Sequence, residues 1–193
     1  MEELAQTLGA PRYRGRQLAQ WIFVKGVTDL DAMTDLPKDF RAALAAWGSV
    51  GVPEVERRTP SQDGSQKLVL RYGDGARVQA VLMPDADRLT LCVSTQVGCG
   101  FACAFCYTGT MGLERNLSAG EIVGQVMAAR EGLAAGLRIT HIVYMGMGEP
   151  FANYTATVKS LRLLTDPQAF ACGPTRAVWA SRPGASRSPR WGS

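Results

Sequence analysis

Three cysteines within eight residues, Cys99, Cys103 and Cys106, constrain this chain more than any other feature of its sequence. The chain has five cysteines in all, an odd number with three on one short segment. A disulfide framework in a small secreted protein spreads an even set along the chain instead. Structural zinc takes four ligands, commonly from paired Cys-x-x-Cys knuckles. Here the spacing is three residues and then two, and no fourth ligand lies nearby in sequence. Three thiolates suit a cubane cluster with one iron left open to a further ligand. Zinc, or cysteines gathered by accident, is the competing reading.

The flanking sequence gives the cysteines a setting. Residues 89–95 read as a strand running into the cysteine loop. Ser118 reads as a helix N-cap, with Glu121 three positions on completing a capping box, and the helix continues through Ile122, Val126 and Met127. Residues 139–145 read as a second buried strand ending in Gly146-Met147-Gly148-Glu149-Pro150, and residues 154–164 as a second helix. Strand, helix, strand, helix implies a parallel sheet, and ligands of such sheets sit at the carboxyl ends of the strands. S-adenosylmethionine chelates an open iron through its amino and carboxylate groups. Gly148 allows close backbone approach to it, and Glu149 is placed to accept a charge-assisted hydrogen bond from its ammonium. A plain strand-to-helix turn is the structural alternative for these glycines.

Upstream, residues 1–50 read as a helical domain. Leu18, Trp21 and Ile22 share one helical face, and Phe40, Leu44 and Trp47 share another after Pro37, with Gly48 as the stop. Arg12, Arg14, Arg16 and Lys25 form a modest basic edge suited to RNA phosphates. The stretch between Pro53 and Pro60 reads as a linker. Two apolar-rich runs at 67–72 and 77–83 around Gly73-Asp74-Gly75 signal a β-hairpin ended by Pro84 and Asp85. Residues 171–193, rich in Arg, Ser, Pro, Gly and Ala, are expected to be disordered and to add no strand to the sheet. Of the 21 Lys and Arg residues, four lie in that segment with no acid, which leaves 17 against 17 acids over positions 1–170. The net charge of +4 is therefore no argument for nucleic-acid binding. No run of 18 apolar residues spans a membrane, and no signal-peptide pattern opens the chain, so a cytoplasmic monomer is expected.

Several segments resemble the RlmN/Cfr family of radical SAM RNA methyltransferases. They are Thr90-Leu91-Cys92-Val93-Ser94-Thr95-Gln96-Val97-Gly98-Cys99 with the cysteine loop, Arg115-Asn116-Leu117, Glu121-Ile122-Val123-Gly124-Gln125-Val126 and Met145-Gly146-Met147-Gly148-Glu149-Pro150. Tyr13-Arg14-Gly15-Arg16-Gln17 and Asp31-Ala32-Met33-Thr34-Asp35-Leu36-Pro37 are similar to that family's N-terminal helical domain. The resemblance runs from about residue 12 to Phe170. It implies an α/β fold, an N-terminal helical domain followed by the first portion of a radical SAM partial (βα)6 barrel. The expected divisions are 1–50 helical and RNA-binding-like, 51–84 linker and hairpin, 85–170 partial barrel and 171–193 divergent tail. It implies methylation of C2 of an adenine in 23S ribosomal RNA and in tRNA, with a [4Fe-4S] cluster on Cys99, Cys103 and Cys106, S-adenosylmethionine as cofactor, and an external electron donor. It also implies a catalytic role for Cys92, seven residues before the first cluster cysteine, through a transient disulfide. The residues alone read Cys92 as a buried strand thiol. Gln79 stands where the family has a proton-accepting glutamate, and the methyl-accepting cysteine of the family has no counterpart before residue 170. An inactive truncated form is therefore expected, the alternative being a non-catalytic remnant that binds RNA or a partner. His141, the only histidine, reads as structural.

Overall fold

The computed structural model describes residues 1–134, 136–167 and 169–170, and the backbone of 177–178. Helices α1 (Glu2–Thr7), α2 (Arg12–Ala19) and α3 (Lys38–Trp47) form the N-terminal region, α2 running on through a π-helical turn at Gln20–Val24. α1 crosses α2 at Gly15, where a Cβ would lie 2.5 Å from the Met1 carbonyl oxygen. Leu18, Ile22, Phe40 and Leu44 are buried as their spacing predicts, but Trp47 is 65% exposed and Trp21 only half-buried. The Trp21 indole instead donates to Asp35 and carries the Lys25 ammonium 3.3 Å from its ring centroid.

Among the described residues six strands form the main sheet: β1 (Glu54–Pro60), β2 (Gln66–Arg71), β3 (Arg77–Asp85), β4 (Arg88–Cys92), β7 (His141–Val143) and β8 (Ala177–Val178), adjacent in that order. β1 to β4 make an antiparallel meander, and β7 and β8 add in parallel to β4. Three expectations are corrected. The stretch between Pro53 and Pro60 is not a linker: it is the edge strand β1, mostly exposed, which needs pairing on one side only. The hairpin does not end at Pro84, because Pro84 and Asp85 pair with Leu89 and Arg88. The sheet also gains a third parallel strand, with Ala177 and Val178 beside Ile142 and Val143; the rest of 171–193 lies outside the described residues.

α5 (Ala119–Arg130) starts at the anticipated capping box, with Ser118 Oγ accepting from the Glu121 amide and the Glu121 carboxylate accepting from the Ser118 amide. It is buried on nearly every side. Gly124 lies against Pro53, and the Arg130 guanidinium donates to the carbonyls of Phe23 and Val24, at 2.6 and 3.2 Å. α5 thus joins the helical region to the sheet. α6 (Tyr154–Thr165) packs beside it, after a 3-10 turn at Pro150–Asn153.

Candidate cofactor site

Past Cys92 the chain leaves the sheet, and its buried backbone groups need new partners. Val93 still donates to Val143 O (2.9 Å), but Ser94 turns away. The Gln125 amide replaces the lost ladder, with Oε1 accepting from Ser94 N–H at 2.9 Å and Nε2 donating to Ser94 O at 2.8 Å. Ser94 Oγ donates to Gln79 O (2.6 Å) and accepts from Met147 N–H (2.9 Å). Thr95 donates to Met147 O, and Asn153 Nδ2 donates to the carbonyls of Thr95 and Leu117. These fully buried polar side chains fuse the tail of β4 to the turn at residues 146–149. Ser94, Thr95 and Gln125 lie in segments quoted above for their family resemblance and Asn153 in none; a glutamine on an otherwise apolar helix face is the one local signal that could have marked Gln125.

The cysteine loop then hangs from a second sheet, the hairpin of β5 (Gln96–Cys99) and β6 (Gly112–Asn116). A bulge between Val97 and Gly98 brings the strands so close that a Cβ on Gly98, at φ +74, would lie 1.9 Å from Gly112 O. The short helix α4 (Tyr107–Thr110) closes the loop. Cys99 is buried, Cys106 partly buried and Cys103 exposed. Cys106 N–H donates to Cys103 O at 3.0 Å. The Cys106 thiol is held below its ordinary range, chiefly by the Gly109 N–H and also by Thr108. Phe101, Phe105, Tyr107, Met111 and Leu113 are all exposed around it, Phe105 by 94%.

Among the described residues no three His, Cys, Asp or Glu side chains converge as ligands of a single metal ion. A cubane takes each of three thiolates on a different iron and needs no such common point. The loop, its lowered thiol and its exposed apolar rim suit that larger group. Facing the same end of the sheet, Gly148 adopts φ +92, and Glu149 is half-buried, its carboxylate accepting from Phe151 N–H at 3.0 Å.

Cys92 pairs with Val81 and Val143, so its side chain shares a sheet face with Val81 and, two residues earlier on β3, Gln79. The opposite face carries Val78, Ala80 and Leu82 in the core. Burial pushes the Cys92 thiol up, partly offset by the Met145 amide. The Gln79 side chain is exposed. His141 Nδ1 lies 2.9 Å from Thr140 Oγ1, at the start of β7 and the far end from the cysteine loop. The N-terminal basic edge is partly neutralised: Arg12 and Arg16 both pair with Glu2, and Arg14 is bonded to Gln17 and the Asp35 carbonyl.

A meander leading into parallel strands, with a three-cysteine loop and a glycine–glutamate turn at one end, is the opening portion of a radical SAM partial barrel. A crystal structure of a radical SAM methyltransferase from Sphaerobacter thermophilus superposes with a TM-score of 0.83 at 46% identity, covering 92% of this chain and 53% of that one. Residues 1–50 match the family described as Ribosomal RNA large subunit methyltransferase N-terminal domain. The dual-specificity RNA methyltransferase RlmN of Halorhodospira halophila is 46% identical over 172 residues, 89% of this chain and 48% of that protein. A probable RlmN of Synechococcus sp. is 47% identical over 167 residues, 86% and 48%. The chain belongs to the RlmN family. It spans about half the length of the curated relatives it matches.

Proposed function

We propose that these residues form the cofactor-holding part of a radical SAM adenine-C2 methyltransferase acting on 23S ribosomal RNA and tRNA. Cys99, Cys103 and Cys106 would hold a [4Fe-4S] cluster, and Gly148 and Glu149 would receive the amino end of S-adenosylmethionine. When bound, the two supply one-electron chemistry, which an aromatic C2–H requires because it is too poor a nucleophile for direct methyl displacement. The chain's own residues do the rest. Cys106, whose thiolate the Gly109 and Thr108 groups favour, ligates at a lower proton cost than an ordinary thiol. Glu149 orients an ammonium by charge-assisted hydrogen bonding. Cys92, buried and held as a thiol, serves as the catalytic cysteine of the same sheet face, while the Gln79 amide beside it holds no titratable proton at neutral pH. The helical domain of 1–50 meets RNA, the units 51–84 and 85–170 carry the site, and the protein works as a cytoplasmic monomer with an external electron donor. Among the described residues no helix is long and apolar enough to cross a membrane.

The observation that carries this reading is the tie between the two halves of the site. Thr95 and Gln96 N–H groups donate to Met147 O, which ties the strand entering the cysteine loop to the turn bearing Glu149. Anaerobic reconstitution of the 193-residue chain is expected to give about four irons per chain, by the stoichiometry of a cubane. Cys103→Ala should abolish this uptake. Tight stoichiometric zinc under the same conditions would overturn the proposal.

A further inference from the structure

We propose that Gln96 is a positioning residue for S-adenosylmethionine: its amide ties the Glu149 turn to the hairpin carrying the cysteines and sets where the Glu149 carboxylate stands. The inference rests on Glu149 receiving the S-adenosylmethionine ammonium, as proposed above.

Gln96 is only 1% exposed, yet both ends of its amide are in use. Oε1 accepts from Glu149 N–H at 2.9 Å, and Nε2 donates to Asn116 Oδ1 at 2.8 Å. Its own N–H points to Met147 O at 3.3 Å. The turn lies directly on this side chain: a Cβ on Gly148 would fall 2.5 Å from Gln96 Cβ and 2.7 Å from Cγ. Gln96 opens β5, Cys99 ends it, and Asn116 ends the partner strand. One side chain therefore touches the strand leading to the first cysteine, the strand leading away from the loop, and the amide of the ammonium-binding residue. Glutamine suits the place because an acceptor is needed at one end and a donor at the other, on an arm of this length. An apolar residue of the same volume would fill the core but leave the part-buried Glu149 N–H without its partner, which is costly and frees the turn to shift.

The test uses the 193-residue chain, anaerobically reconstituted, as wild type, Gln96→Leu, Gln96→Glu and Asn116→Ala. Iron per chain is measured first. The reduced cluster's electron paramagnetic resonance spectrum is then titrated with S-adenosylmethionine for an apparent Kd. All four proteins are expected to hold similar iron. Gln96→Leu should need roughly tenfold more S-adenosylmethionine, the scale of one lost buried hydrogen bond. Gln96→Glu, which keeps the acceptor for Glu149 N–H, should stay within about threefold of wild type by the same measure. Asn116 is exposed, so Asn116→Ala loosens the anchor without threatening the fold, and about threefold weaker binding is expected. Gln96→Leu and Asn116→Ala both titrating like wild type would overturn the proposal. So would loss of iron in Gln96→Leu alone, since Gln96 would then serve the cysteine hairpin and not the turn. A wild-type chain that holds iron but shows no response to S-adenosylmethionine would instead remove the Glu149 reading underneath.

Discussion

Residues 91–99 are buried without exception, and residues 100–105 are exposed without exception. The first stretch is held by the chain's own hydrogen bonds, through Gln125, Ser94, Gln96 and Asn153. The second presents Phe101 and Phe105 to solvent, with Ala102 in the left-handed region at φ +47. The clamp is thus fixed by the chain's own groups, whereas the loop is expected to take its order from what its thiols bind. In energetic terms the clamp belongs with the core, whereas the loop belongs with the weakly protected segments that open locally.

Substitutions can break this contrast. Gln125→Leu should have the largest effect, about 3 kcal/mol of stability, because it orphans both a buried N–H and a buried carbonyl of Ser94; urea unfolding measures it, and a loss under about 1 kcal/mol would mean water or a shifted backbone replaces the amide. Ser118→Ala, at the N-cap of α5, should cost about 1 kcal/mol in the same assay, locating that part of the stability in the helix and not in the clamp. Phe105→Ala should change the stability of the iron-free chain by less than about 0.5 kcal/mol, as for a surface residue, and a larger drop would place this ring in the core. The smallest effect is one of pH. In the iron-free chain, alkylation of Cys106 should rise at lower pH than that of an ordinary thiol, because its thiolate is favoured, and Cys92 should respond at higher pH, because burial disfavours its thiolate. Coincident profiles, read by mass spectrometry of the modified peptides, would contradict the contrast.

The sequence carried the parts of this fold whose signals are local. The Ser118–Glu121 capping box, the Asp74-Gly75 turn between β2 and β3, and the cysteine spacing all rest on residues a few positions apart. β1 escaped because an exposed edge strand shows no apolar alternation, and its flanking prolines read as loop. β7 is shorter than its apolar run because the chain beyond Val143 turns to bond the tail of β4, as in Gly146 N–H to Val93 O. The third parallel strand was missed because two residues carry no period. Gln96 and Gln125 were invisible as supports for a different reason. A buried amide is recognised by its partners, which here lie 20 to 53 residues away in sequence.

Hydrogen exchange on the 193-residue chain, before and after anaerobic loading with iron and sulfide, tests the division most directly. The amides of Ser94, Met147 and Glu149 should be as slow as the core in both states. Those of residues 100–105 should exchange rapidly in the iron-free chain and become protected on loading. A loop already as slow as the clamp without iron, or one that stays fast once iron is bound, would contradict the account.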